Sequence, residues 1–305
     1  MQKKLEKICT CLMIAGILDI SVSTRSSAIE KGTLPDYPPG FTIGMPSGAL
    51  PGQGIFWSEK AFYDSVQAVD GTGADTGTHI NAFATTGNVI FVPGWKILGA
   101  NYAFQADDFG AFHETVHFPD EEKRNSFSVT GGSDLELFPV VLSWKLPSHF
   151  FASIREGVYL PTGQFNSSYP ANIGHDRWAF EQGAALSYVS IHYIFSANSW
   201  TDVNGATRSA VVDHYKSGST FDVDLSALKI FGKFETGPVG YYYRQFGGDS
   251  GPESLDGGMP QEDAIGWLAG YNFGRYSANI YVTQDVYTRD VGRQSKIWLT
   301  FNFKI

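Results

Sequence analysis

The stretch Lys296-Ile-Trp-Leu-Thr-Phe-Asn-Phe-Lys-Ile305 limits what this chain can fold into more than any other. Successive side chains of a strand point to opposite faces. Ile297, Leu299, Phe301, Phe303 and Ile305 therefore share one side, and Lys296, Thr300, Asn302 and Lys304 share the other, with Trp298 the one large ring among them. At the edge of a soluble sheet such a ribbon is an aggregation hazard. In a membrane barrel it is a closing strand whose oily side lies against lipid.

The start of the chain reads as a secretory signal. Lys3, Lys4 and Lys7 precede a mostly apolar stretch from Ile8 to Val22, interrupted by Asp19, and Ser26-Ser-Ala28 offers a small-residue cleavage site. The apolar stretch is too short and too broken for a spanning helix, so residues 1–28 are expected to be removed. Cys9 and Cys11, the only cysteines, lie inside that signal. The remaining chain then has neither a disulfide nor a thiolate metal site. Of 22 basic and 31 acidic residues, Lys3, Lys4, Lys7 and Arg25 and Glu6 and Asp19 leave with the signal. The resulting net charge of −11 (18 basic, 29 acidic) repels nucleic acid.

Residues 29–53 are punctuated by proline and glycine, as in Tyr37-Pro-Pro-Gly-Phe41 and Gly48-Ala-Leu-Pro-Gly-Gln-Gly54, which predicts an ordered coil rather than a strand. From about residue 54 to 305 the chain becomes about twelve strand-length runs separated by turn signals. In Tyr276–Val286, Ala278, Ile280, Val282 and Val286 oppose Ser277, Asn279, Thr283 and Asp285; in Ile265–Phe273, Ile265, Trp267, Ala269, Tyr271 and Phe273 share a face. Gly274-Arg275 joins these two runs as a hairpin. Phe221–Ala227 alternates, but the pattern flips at Leu228 and Ile230, which predicts a bulge or a boundary there. Connections at Pro93-Gly94, 146–148 and Asn204-Gly205 read as short, and those at 107–131, 161–176, 203–219 and 247–262 as long and polar. Two rims of unequal loop length are expected of a membrane barrel, and the seven tryptophans with Tyr241-Tyr-Tyr243 are expected at its interfacial girdles.

Catalytic signals are sparse. His113-Glu-Thr-Val-His117 has metal-like spacing, but Phe112, Phe118 and Pro119 flank it and it falls in an expected loop, so no metal role is assigned. Gly174-His-Asp-Arg-Trp178 sets imidazole, carboxylate and guanidinium side by side. Neighbours on a strand point apart, so His175 and Asp176 do not form a dyad, and a surface Arg–Asp pair is the expected reading. Gly131-Gly-Ser-Asp134 lacks a following Lys-Ser/Thr and helix and reads as a turn before a strand. Charges within the runs (Glu136, Arg155, Asp222, Asp224, Lys229, Arg244, Asp285) are costly in lipid, so most are expected in the lumen. Arg155 and Tyr159 share a face opposite Ile154 and Val158.

Three regions together resemble the outer-membrane transporter family named for the phenol meta-degradation pathway. They are Tyr37–Phe41 with Gly48–Ile55; Gly131–Pro139 with Leu142-Ser-Trp144 and Val158–Gly163; and Asn172–Trp178, Gly240–Tyr243 and the terminal strand. The chain departs from the usual barrel ending, a phenylalanine, in its Ile305. The resemblance implies a barrel in the outer membrane of a Gram-negative bacterium, inserted by the barrel-assembly machinery, that passes aromatic or other hydrophobic molecules. It offers no catalytic residues and no cofactor. The expected fold is thus all-β, an antiparallel transmembrane barrel of about twelve strands, with residues 32–53 of the Pro/Gly-rich segment 29–53 as a partial lumen plug. Tyr37 and Phe41 on that segment, and Arg155, Tyr159, Asp222 and Asp224 on the wall, are the expected substrate or lumen residues, with selectivity set by pore shape and lining. A lipid-acting barrel enzyme, a closed structural barrel and a soluble periplasmic sandwich are the rival readings.

Overall fold

The computed structural model describes residues 35–69, 72–119, 126–209, 214–251 and 259–305. The expected signal, 1–28, lies outside them. Fourteen strands form one sheet: β1 (Gly54–Val69), β2 (Asp75–Val92), β3 (Lys96–Ile97), β4 (Ala100–His117), β5 (Ser126–Gly131), β6 (Leu135–Lys145), β7 (Phe150–Leu160), β8 (Ala179–Val189), β9 (Tyr193–Asn204), β10 (Thr220–Phe231), β11 (Phe234–Gln245), β12 (Gln261–Asn272), β13 (Tyr276–Arg289) and β14 (Arg293–Lys304). Two of these add no stave of their own. β3 is a two-residue appendage to the foot of β4, and β5 and β6 pair with the upper and lower parts of β4 as one interrupted stave. The twelve staves are antiparallel to their neighbours, and the pairings of β1 with β14 and of β2 with β4 close them into a barrel.

Alternation sorts each stave into an outward and an inward face. On β14, Ile297, Leu299, Phe301 and Phe303 are exposed on the outside, while Lys296, Trp298 and Thr300 are buried inside. β13 and β12 follow the same rule, with Ile280 and Val282 outward and Asn279 and Thr283 inward, and with Ile265 and Trp267 outward and Leu268 inward. The inward set is polar: Glu136, Arg155, Asp222, Asp224 and Asp285 are all buried in the bore. Lys229 and Arg244 are instead exposed near the strand ends, where charge reaches water.

Four expectations need correction. The stretch 107–131 is not one long loop: β4 continues to His117, β5 begins at Ser126, and His113 and His117 are exposed on a strand, with His113 Nδ1 2.7 Å from Thr130 Oγ1. Asn204-Gly205 is not a short turn but the start of the long 205–219 connection. No bulge interrupts β10 at Leu228, since its pairings with β9 and β11 keep one register; Leu228 points inward because the lumen there is apolar. Finally, the aromatic girdle is split. Trp95, Trp178 and Trp267 are exposed outside, but Trp200, Trp298, Tyr241 and Tyr243 are buried in the bore.

The rims differ as loop lengths suggested. Connections 146–149, 190–192, 232–233 and 273–275 lie at the end where β1 begins, and 161–178, 205–219 and 246–260 lie at the other. At the long-loop end, Gly132–Asp134 breaks the β5–β6 stave, and its Asp134 carboxylate accepts the amides of Gly163 and His175, both at 2.7 Å. The break between β5 and β6 is thereby tied to the connection between β7 and β8.

Candidate functional site in the barrel lumen

Residues 35–51 run through the bore rather than along its outside. Pro38-Pro39 and the left-handed Gly40 (φ 93°) and Gly44 (φ 78°) turn the chain repeatedly. Short backbone bonds mark those turns: Phe41 N to Pro38 O (3.0 Å), Ile43 N to Gly40 O (3.2 Å) and Met45 N to Thr42 O (3.0 Å). A coil this tight leaves amides and carbonyls unused, and a buried backbone group needs a partner. The wall supplies them.

Asp224 is the principal anchor. Its carboxylate accepts Tyr37 Oη (2.7 Å), Gly40 N (2.8 Å), Thr42 N (2.7 Å) and Thr42 Oγ1 (2.7 Å). Below it, Ser226 Oγ accepts Gly44 N (2.9 Å), Asn198 Nδ2 donates to the carbonyls of Thr42 (3.2 Å) and Met45 (3.1 Å), and Ser153 Oγ and Arg155 Nη2 both donate to Ser47 O (2.7 and 3.0 Å). From the opposite wall Tyr281 Oη donates to Gly40 O (3.0 Å) and Lys296 Nζ to Pro39 O (3.2 Å). Gly48 lies so close to the wall that a Cβ there would stand 2.6 Å from Phe151 O and 2.8 Å from Ser187 N.

Aromatic rings pack around the same coil. Tyr37 stacks on Trp200 with ring centroids 5.2 Å apart, and Phe41 meets Trp298 edge-on at 5.9 Å. Trp298 in turn packs against Phe62 (4.5 Å) and Tyr281 (5.8 Å). The segment and the wall thus share one apolar cluster in the middle of a polar bore. A cavity of about 460 Å³ opens on the short-loop side of the coil, lined by Leu50, Phe56, Ile90, Asn88, Asn279 and Asn302 among others. On the long-loop side a smaller space of about 60 Å³ lies between Pro38-Pro39 and Phe62, Phe112 and Trp298.

A second clasp holds the segment at its long-loop end. Asp36 receives Arg177 Nη2 at 2.6 Å and His175 Nδ1 at 3.1 Å, and the same imidazole nitrogen lies 3.1 Å from Asp134 Oδ2. Arg177 and His175 are buried, so the surface-pair reading of this motif is corrected; the exposed pair is Arg208 with Asp176, at 2.9 Å. Burial disfavours the charged imidazole, but Asp36 and then Asp134 outweigh both burial and the repulsion of Arg177, and the pKa of His175 is raised. Burial also pushes Asp134 up, yet the hydrogen bond and charge of His175 and the two loop amides hold its carboxyl below its usual range. Asp36, Asp134 and His175 have metal-ligand chemistry, but Arg177 already sits on Asp36, so this cluster is an ion-paired clasp.

Of the six residues expected from sequence, the structure brings Tyr37, Phe41 and Asp224 into one contact set. Arg155 joins it through Ser47 O and reaches Gln105 Oε1 at 3.2 Å. Tyr159 Oη donates to Glu181 Oε2 (3.2 Å), and Asp222 shares a side-chain hydrogen bond with the anchor Asp224. The serines and Asn198 that grip the coil, and Asp36, were not singled out. Their one sequence signal is polarity at inward positions of a run.

A family model described as "Putative MetA-pathway of phenol degradation" matches residues 63–301. No curated protein matches the chain. Among solved structures, the COG4313 outer membrane channel from Pseudomonas putida F1 superposes with a TM-score of 0.70 at 12% identity, covering 88% of this chain and 100% of that one. The translocator domain of the autotransporter NalP from Neisseria meningitidis gives 0.48 at 12% identity (84% and 90% covered), and the CymD monoaromatic hydrocarbon channel gives 0.48 at 9% identity (92% and 94% covered).

Proposed function

We propose that this chain, which belongs to the MetA-pathway phenol-degradation family, sits in the outer membrane of a Gram-negative bacterium as a channel that passes hydrophobic small molecules, aromatic or long-chain. The observation that carries this is the bore itself: a closed barrel with an oily outer wall holds a coil whose aromatic rings make an apolar patch, with partly apolar spaces on either side of it. An apolar solute crossing such a bore would meet rings at its narrowest point, and pore shape and lining would set its selectivity. The structure described as an outer membrane channel shares the fold over the full length of that chain, which supports the reading.

In this reading residues 35–51 are a partial plug, and Tyr37, Phe41, Arg155, Tyr159, Asp222 and Asp224 border the path. No step is covalent, so the protein is not an enzyme and needs no cofactor. Lipid and the barrel-assembly machinery are its partners in place, after removal of residues 1–28. The test is conductance and uptake. Purified protein in planar bilayers should form channels, and deletion of residues 34–50 should raise the single-channel conductance. Conductance unchanged by the deletion would remove the plug, and no conductance or phenol uptake in either form would remove the channel.

A further inference from the structure

On the short-loop side of the coil, strand register stacks uncharged hydrogen-bonding side chains into a ladder. Asn88 on β2 pairs with Ser58 on β1, Ser58 with Asn302 on β14, Asn302 with Ser277 on β13, and Ser277 with Asn272 on β12. All five occupy inward positions of their strands, so neighbouring staves contribute one rung apiece to a single row. Strands lie about 4.8 Å apart, and the row therefore runs roughly 19 Å round the wall. None of its rungs is charged, although the next row toward the long-loop end contains Lys60, opposite Thr86 and Thr300.

The five rungs line the cavity of about 460 Å³, and so does Asn279 in the row above. The same cavity is lined by the apolar Met45, Pro46 and Leu50 of the coil and by Phe56, Ile90 and Ile194 of the wall. A second observation points to a ligand. Ser58, Asn88 and Asn279 are more than nine-tenths buried, yet Ser58 Oγ, Asn88 Oδ1 and Asn279 Oδ1 have no hydrogen-bond partner among the described residues. Buried polar atoms left unpaired are costly. Water satisfies such atoms but gains nothing against Leu50, Phe56 and Ile90. The two charged residues on the lining lie off the ladder: Arg155 already donates to Ser47 O and Gln105 Oε1, and Glu235 lies against Gly270.

We propose that this cavity binds a neutral amphiphile with an apolar body and a head bearing several hydroxyl groups, of the aryl or alkyl glycoside class. A hydroxyl both donates and accepts, which is what a row of amides and hydroxyls needs from a partner. A bare hydrocarbon leaves the ladder unpaired, and an ion meets no counter-charge on it. As a statement about the transported solute this rests on the channel reading above; binding is measured apart from it.

Three probes divide the ligand into its parts: 4-nitrophenyl glucoside, 4-nitrotoluene (body without head) and methyl glucoside (head without body). Each is measured by equilibrium dialysis against the full chain held in amphipol, with protein-free amphipol as the blank. 4-Nitrophenyl glucoside should bind at least about tenfold tighter than either fragment, the equivalent of about two hydrogen bonds of ordinary net strength. In Asn88→Leu/Asn302→Leu, checked for folding by its faster gel migration before boiling, that affinity should fall to the level of 4-nitrotoluene. Ser58→Ala/Ser277→Ala removes only two hydroxyls; it should weaken binding in the same direction, and it replaces the leucine pair if that pair does not fold. Equal binding of 4-nitrophenyl glucoside and 4-nitrotoluene overturns the site, as does a folded ladder variant that keeps the full affinity. Conductance separates this from the channel: a conducting barrel without the preference loses only the site, and ladder-dependent binding in a barrel that conducts nothing keeps the site and removes the channel.

Discussion

Asp224 and His175 decide where the coil sits. Asp224 accepts four hydrogen bonds from Tyr37, Gly40 and Thr42, and it does so while buried. Charge-assisted bonds of this kind contribute about 1.5–3 kcal/mol each, less than additively. Asp224→Ala should therefore loosen the coil by several kcal/mol, on the order of two such bonds, and protease should then cut near residue 40 in the folded barrel. His175 sets a pH dependence. With a pKa raised in the folded state, its ion pair with Asp36 contributes fully below the ordinary imidazole value of about 6.5 and is lost as pH rises through the raised value. The depressed carboxyl of Asp134 behaves oppositely: its contribution holds above about 3.9 and is lost as pH falls through its lowered value. The clasp is thus firmest in mildly acidic medium. Raising the pH above neutrality should increase cutting of the coil, and His175→Gln should remove that dependence; cutting that falls with rising pH would refute the clasp.

At the scale of the element, β14 shows how much a strand sequence can announce. Its alternation predicted both faces, because a stave between oil and bore admits only one assignment of Leu299 and Thr300. The two faces should respond to lysine in opposite ways. Leu299→Lys puts an ammonium against lipid and should cost about 2–4 kcal/mol, whereas Asn302→Lys, on the same inward face as Thr300 and beside the 460 Å³ cavity, should shift unfolding in denaturant far less; equal costs would mean that the faces are misassigned. The same logic made Phe150–Leu160 readable to the residue as β7. It failed at 107–117, where Asp107, Asp108 and Gly110 look like turn chemistry. Asp108 does take a left-handed φ of 71°, but within a strand, and β4 absorbs it with a change of register against β2. Trp200, Trp298 and Tyr241 were misplaced for a related reason: an aromatic at an inward position is indistinguishable by type from one at an interface until the apolar coil it packs on is known. The anchors of the coil were illegible for the same cause. Ser153, Ser187 and Asn198 are ordinary lumen polars whose role depends on a segment more than 100 residues earlier in the chain.

For the whole molecule, the question raised by the closed ring is how a coil came to lie inside it. Chain that precedes β1 must either thread a finished cylinder or be enclosed as the cylinder forms. Many of its contacts lie on β7, β8, β9 and β10 (Ser153, Ser187, Asn198, Asp224, Ser226), which occupy the middle of the strand order and stand far round the circle from the seam between β1 and β14. A half-built, open sheet already presents that docking surface. A Ser47→Cys/Ser153→Cys pair should accordingly oxidise in intermediates trapped before the seam joins, and a bond that forms only in the completed barrel would argue for threading. Because those two cysteines would be the only ones left after residues 1–28 are removed, the cross-link has no competitor. Enclosure also has a consequence for release: a guest wrapped by its container before the last weld can slacken and swing, but it leaves only through an open mouth or by undoing the weld.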